Sequence, residues 1–172
     1  MRKNNQKTIT HLSFLLPLIF FLSIVLLPSL TYSAELPSGT FVRISIVSDP
    51  AADSDTSLRG EKAIFGAEVV SDSETMRIGL SERESIPDNR AMLFILDRKK
   101  EYSFWMKGMG FPLDIVIFDK DRRILDIIHD FQTCIINCPA IKMPSTAAYA
   151  LEIKAGMAKS HGLQAGDLFE IY

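Results

Sequence analysis

Cys134 and Cys138 are the only cysteines in the chain. Their C-x-x-x-C spacing leaves three chemistries open: a structural disulfide, thiol redox exchange, or metal ligation completed by His129 and Asp130. Redox pairs use C-x-x-C, so the extra residue disfavours exchange. Four extended residues would hold the two Cα atoms too far apart to bond. Asn137 and Pro139 supply the turn that would bring them together. Outside the cytoplasm the two thiols would then oxidise. So short a loop contributes on the order of 2 kcal/mol, enough to pin a loop without holding the fold.

Two carboxylates interrupt apolar runs, Asp114 in Leu113–Val116 and Glu152 in Leu151–Ile153. Each must reach solvent or be buried against a partner such as Arg77, Arg90 or Lys107. If they approach each other and one pKa is raised, they could do general acid–base work, which would make the chain an envelope hydrolase. Trp105 stands between Phe104 and Met106, and strand alternation sends it to the opposite face from both. It either lines a groove as a platform for a sugar or peptide, or packs in a core covered on both faces. Arg77, Trp105, Lys107, Asp114 and Glu152 are therefore the candidate ligand-binding residues. No catalytic set, metal site or cofactor site is expected. The chain has no G-x-S-x-G, H-E-x-x-H, P-loop or Rossmann fingerprint, and the Asp53/Asp55 loop fails the EF-hand pattern at Leu58 and Ile64.

The elements that must position these residues read as short strands. Phe41–Val47 alternates, with Val42, Ile44 and Ile46 on one face. Further strands are expected at Ile64–Val70, Met92–Leu96, Tyr102–Met106, Leu113–Phe118, Ile124–Ile128, Tyr149–Ile153 and Leu168–Ile171. The turn Asp119-Lys120-Asp121-Arg122 joins two of them as a hairpin. Ser71 and Glu74 form a capping-box pattern ahead of a short helix over Asp72–Gly79. A second helix over Ala155–His161 ends at Gly162, with His161 complementing its dipole. Eight strands and two short helices predict a mainly β, single-domain sandwich or barrel-like sheet.

The chain has 172 residues, 47% of them hydrophobic and 23% charged, with a mean hydropathy of +0.14. This is globular usage and excludes a disordered, collagen-like or coiled-coil chain. Arg2, Lys3 and Lys7 precede an apolar run from Leu12 to Leu30, and small polar residues follow. Residues 1–34 thus read as a secretory signal peptide, with a retained membrane anchor as the alternative. Either way the domain at 35–172 is expected outside the cytoplasm, periplasmic or extracellular. Beyond Ala34 there remain 16 basic against 21 acidic residues, a net charge of −5. Such a domain repels phosphate backbones, so no nucleic-acid partner is expected. A small molecule, a saccharide or an envelope protein is.

Several segments together resemble the domain of unknown function 192 family. They are Met76-Arg77 with Gly79-Leu80, Met92-Leu93-Phe94, Phe104-Trp105-Met106-Lys107 and Pro112-Leu113-Asp114, then Leu151-Glu152, Ala155-Gly156 and Gly166-Asp167. The resemblance covers 64–172. The family pattern has Gly where this chain has Ala91, Met where it has Ser81 and Asn where it has Gly108. The resemblance implies a compact β-rich domain, often exported in bacteria, with no established reaction. Residues and resemblance together point to a small binding or accessory module of the cell envelope. A carboxylate-pair hydrolase and a structural or interaction domain are the alternatives.

Overall fold

A computed structural model describes residues 36–49 and 60–172. Residues 1–34, expected as a signal peptide, and the stretch that holds Asp53 and Asp55 lie outside the described residues. Nine strands are present in the described part: β1 (Phe41–Val47), β2 (Glu61–Val70), β3 (Arg90–Ile95), β4 (Ser103–Trp105), β5 (Leu113–Phe118), β6 (Ile124–Phe131), β7 (Ala140–Lys142), β8 (Tyr149–Lys154) and β9 (Leu168–Ile171). Two helices accompany them, α1 (Ser73–Ile78) and α2 (Met157–Ser160). The fold is mainly β, as its pattern predicts.

Seven strands form one curled sheet in the order β6-β5-β8-β3-β2-β1-β9, and β4 pairs with β7 in a second, two-stranded sheet. All pairings are antiparallel except β2 with β3. That parallel pair requires a crossover, and the crossover carries α1. Curling brings the two edge strands together. The Ile124 amide donates to the Asp167 carbonyl at 2.7 Å and the Phe169 amide to the Arg122 carbonyl at 3.0 Å. Exposed backbone groups that would otherwise template another strand are thereby consumed.

Alternation assigns the residues to two cores, one on each face. Ala63, Phe65, Ala67 and Val69 of β2 are buried in strict period two. With Ile44, Leu93, Val116, Ile124, Leu151 and Phe169 they make a cluster to which all seven strands contribute. Phe118 and Phe169 meet edge to face there, with centroids 4.7 Å apart, the geometry their ring quadrupoles favour. The other face is shorter. Met92, Phe94, Ile115, Ile117 and Ala150 pack under Leu80, Phe104 and Met106, so α1 and the β4–β7 pair act as its cover.

Local differences from the sequence reading have physical causes. The cap of α1 is Asp72, not Ser71: its side chain accepts from the Glu74 and Thr75 amides, each at 3.0 Å. The short strand β7, after Pro139, has too few residues to show a period. Gly162 takes the left-handed conformation expected of it, at φ 61°. His161 does more than face a helix end: its ring meets Phe65 edge-on and its Nδ1 lies 3.1 Å from the Lys62 carbonyl oxygen.

Candidate functional site

Glu152 lies in the middle of β8, opposite Met92 of β3 on one side and Ile115 of β5 on the other. Both neighbours belong to the shorter core, so alternation sends the Glu152 side chain to that face. It is 7% exposed, and its Oε2 is buried with no hydrogen-bond partner. Of the expected cations, Arg90 instead stacks over Phe41 at 6.0 Å, and Arg77 and Lys107 form no ion pair among the described residues. Burial alone pushes the Glu152 carboxyl up to about 8. At neutral pH it is a protonated acid in an apolar setting, able to donate and accept.

Above this acid lies a cavity of about 230 Å³. Glu152 and Phe94 contribute from the sheet, and Met76, Arg77, Gly79 and Leu80 line it from the α1 crossover. Tyr102, Phe104, Trp105, Lys107 and Met109 line it from β4 and its flanks. The crossover can approach because Gly79 adopts φ 53°, ψ −131°, a combination open to glycine alone. Its amide donates to the Thr75 carbonyl at 2.9 Å, which ends α1. A Cβ on Gly79 would stand 3.8 Å from Glu152 Oε2 and 3.6 Å from the Phe94 ring. The absent side chain thus lets the crossover close over the acid at ordinary contact distance.

Trp105 is 51% exposed while Phe104 and Met106 on either side are buried. The outward alternative for Trp105 is the arrangement found. It lines the cavity and also a shallower depression beside the cysteine loop, with Lys107, Ile135 and Ile136. Cys134 and Cys138 sit at disulfide distance, their Cα atoms 5.5 Å apart. The Cys134 amide donates to the Met106 carbonyl at 3.4 Å, tying this loop to the strand that carries Trp105. Among the described residues no three His, Cys, Asp or Glu side chains gather as a metal-ligating group.

Four of the five candidate residues, Arg77, Trp105, Lys107 and Glu152, therefore line one cavity, and Asp114 does not. Asp114 registers with Ile153, whose side chain belongs to the seven-strand core. It thus projects from the opposite face to Glu152. Its Oδ1 accepts from the Asp130 amide at 2.8 Å and its Oδ2 from the Ala158 amide at 2.9 Å. Asp130 holds a left-handed backbone, φ 50°, where β6 carries an extra residue opposite Leu113–Ile115. Asp114 thus fastens a bulge and the start of α2 to the sheet. Two carboxylates on opposite faces of one sheet cannot share a substrate, so the paired-carboxylate hydrolase loses its geometric basis. The cavity also uses Ser73, Phe94, Lys100 and Tyr102, which the sequence reading passed over. Phe94 carries only a core signal, Ser73 and Tyr102 read as ordinary residues at the starts of a helix and a strand, and Lys100 sits in a polar stretch without periodicity.

The family model of domain of unknown function 192, described as an uncharacterized ACR, matches residues 56–171. A protein of unknown function from Novosphingobium aromaticivorans has a similar structure, with a TM-score of 0.63 and 24% identity, covering 80% of this chain and 94% of that one. A putative transcription regulator from Sinorhizobium meliloti gives a TM-score of 0.62 at 22% identity, covering 80% and 97%. At such identities the likeness is one of fold. No curated protein matches the chain.

Proposed function

The chain belongs to the domain of unknown function 192 family, and on that premise we propose that it is an exported binding module of the cell envelope that holds a small ligand in the cavity above Glu152. The observation that carries this reading is the buried, partnerless Oε2 of Glu152. Leaving a buried polar atom unpaired costs about 1–3 kcal/mol. A structure that keeps one at the floor of a cavity has a hydrogen-bonding position for a guest to fill. Trp105 offers an aromatic wall, and Arg77 and Lys107 offer uncommitted charge.

Export rests on the basic head and apolar run before Ala34. Among the described residues no helix is long and apolar enough to cross a membrane. A nucleic-acid role, suggested by the description of the Sinorhizobium protein, is disfavoured by the net charge of −5 beyond Ala34. A second reading, docking on an envelope protein, draws on Ile135 and Ile136, which are 89% and 80% exposed beside Trp105.

A thermal-shift screen against sugars, peptides, nucleotides and divalent metals tests the first reading. A ligand at a hundred times its dissociation constant adds roughly 2.7 kcal/mol, a rise of several degrees in Tm. The rise should vanish in Trp105→Ala. A panel without any shift would transfer the weight to a protein partner. Export is tested by the mass of the protein recovered from the envelope fraction, which should correspond to a chain starting near residue 35.

A further inference from the structure

The cavity lining has an uneven charge distribution that narrows the class of guest. Three cations, Arg77, Lys100 and Lys107, line it against a single carboxyl, Glu152. Lys100 faces Asp97 at 3.9 Å, whereas Arg77 and Lys107 have no ion-pair partner among the described residues. The same lining carries apolar side chains, among them Met76, Leu80, Phe94, Phe104 and Trp105, and the hydroxyls of Ser73, Ser81, Tyr102 and Ser103. We propose that the cavity takes a small hydroxylated organic anion, its acid group held by Arg77 and Lys107, its apolar body against Trp105 and Phe94, and its hydroxyl bonded to Glu152.

Each part of that description follows from one feature. An anion is selected because a cationic guest would meet three like charges in the same cavity. The Arg77 guanidinium presents a planar fork suited to the two oxygens of a carboxylate or phosphate. A hydroxyl is selected at Glu152 because it can both donate and accept. It therefore satisfies Glu152 whether or not that acid carries its proton. An amine would arrive as an ammonium and suffer the same repulsion. The volume of about 230 Å³ is below the roughly 300 Å³ at which drug-sized pockets begin, so the guest is a metabolite-sized molecule rather than a polymer.

This inference rests on the reading of the cavity as a ligand site, and the experiment separates the two. Trp105 is the only tryptophan in the chain, so its emission reports on this cavity and on the depression beside it, and the Glu152→Leu variant, which changes only this cavity, tells the two apart. The full chain is titrated with three probes transparent at the exciting wavelength: trans-4-hydroxycyclohexanecarboxylate, its carboxamide, and cyclohexanecarboxylate. The hydroxy acid should bind about tenfold more tightly than either of the others, the value of one charge-assisted or buried hydrogen bond. The preference for acid over amide should collapse in Arg77→Gln/Lys107→Gln. The preference for hydroxyl over none should collapse in Glu152→Leu, which removes a buried carboxyl and is expected to fold. Equal affinities for acid and amide, or a preference that survives Arg77→Gln/Lys107→Gln, would overturn the anion assignment and leave the cavity as a binding site. Unchanged Trp105 emission with all three probes at millimolar concentration would overturn both.

Discussion

Replacing Glu152 with Gln should make the protein more stable at neutral and alkaline pH, and the gain should grow with pH in a defined window. In the unfolded chain this carboxyl ionises near its ordinary 4.5; in the fold burial raises it to about 8. Below 4.5 both states hold the proton, so ionisation takes nothing from the stability of the fold. Between 4.5 and 8 the unfolded state loses its proton first, so stability falls as pH rises; above 8 the fall ends. With about 1.4 kcal/mol per pH unit, the wild type should lose on the order of 3 kcal/mol between pH 5 and pH 8 through this one group. For a chain of this length that corresponds to roughly 10 °C in Tm. Glu152→Gln has no proton to lose there, so its melting temperature, followed by circular dichroism across the same pH range, should diverge upward from the wild type. Contributions from all other groups cancel in the difference. Parallel curves for the two proteins would refute the reasoning, because they would mean that Glu152 titrates alike in the folded and unfolded states.

Three further substitutions separate the site from its supports. Asp114→Ala should destabilise by about 2–4 kcal/mol, since it orphans the Asp130 and Ala158 amides; urea unfolding reads this, and probe titration of the folded variant at Trp105 should be unchanged. Gly79→Ala should cost about 1–3 kcal/mol in the same assay, because the conformation at φ 53°, ψ −131° is strained for any residue with a Cβ. The new methyl would meet Phe94 and Glu152 only at ordinary contact distance, so the loss comes from the backbone. Cys134→Ser/Cys138→Ser should lose no more than about 2 kcal/mol and keep a cooperative thermal transition; complete unfolding at room temperature would show that the loop does more than pin itself.

What the sequence reveals here follows the range of its signals. FVRISIV in β1 is a strand because period two and β-branched content agree, LDIVIF in β5 because a short apolar run is rich in β-branched residues, and their bounds need no tertiary information. The Phe104-Trp105-Met106 triplet places Trp105 on the opposite face from its neighbours, but whether that face is open or covered is set by tertiary structure. The relation between Asp114 and Glu152 is different in kind. Each is visible as a carboxylate in an apolar run, but their separation onto opposite faces depends on β5 and β8 pairing with Asp114 opposite Ile153. A one-residue slip would exchange the faces, and nothing local sets that register. The missing partner of Glu152 is a tertiary fact of the same sort. Arg77, Arg90 and Lys107 look suitable by charge, yet Arg90 is drawn to Phe41. Lys100 and Tyr102 reach the cavity because the chain between β3 and β5 folds over the sheet, and neither a polar residue before a strand nor the strand's first residue announces where it lands.

The two faces of the seven-stranded sheet differ in how freely they can change. One is sealed by side chains from all seven strands, so a substitution there is felt around the whole curl. The other is roofed mainly by two connections, residues 71–89 and 96–112, that leave the sheet and return to it, with β7 from a third beside β4. Most of the cavity wall is carried on those two excursions, and only Phe94 and Glu152 belong to strands of the sheet beneath it. A lineage could therefore rewrite the roof to suit a new guest while inheriting the foundation intact. A protein engineer could exchange the same two segments as cassettes.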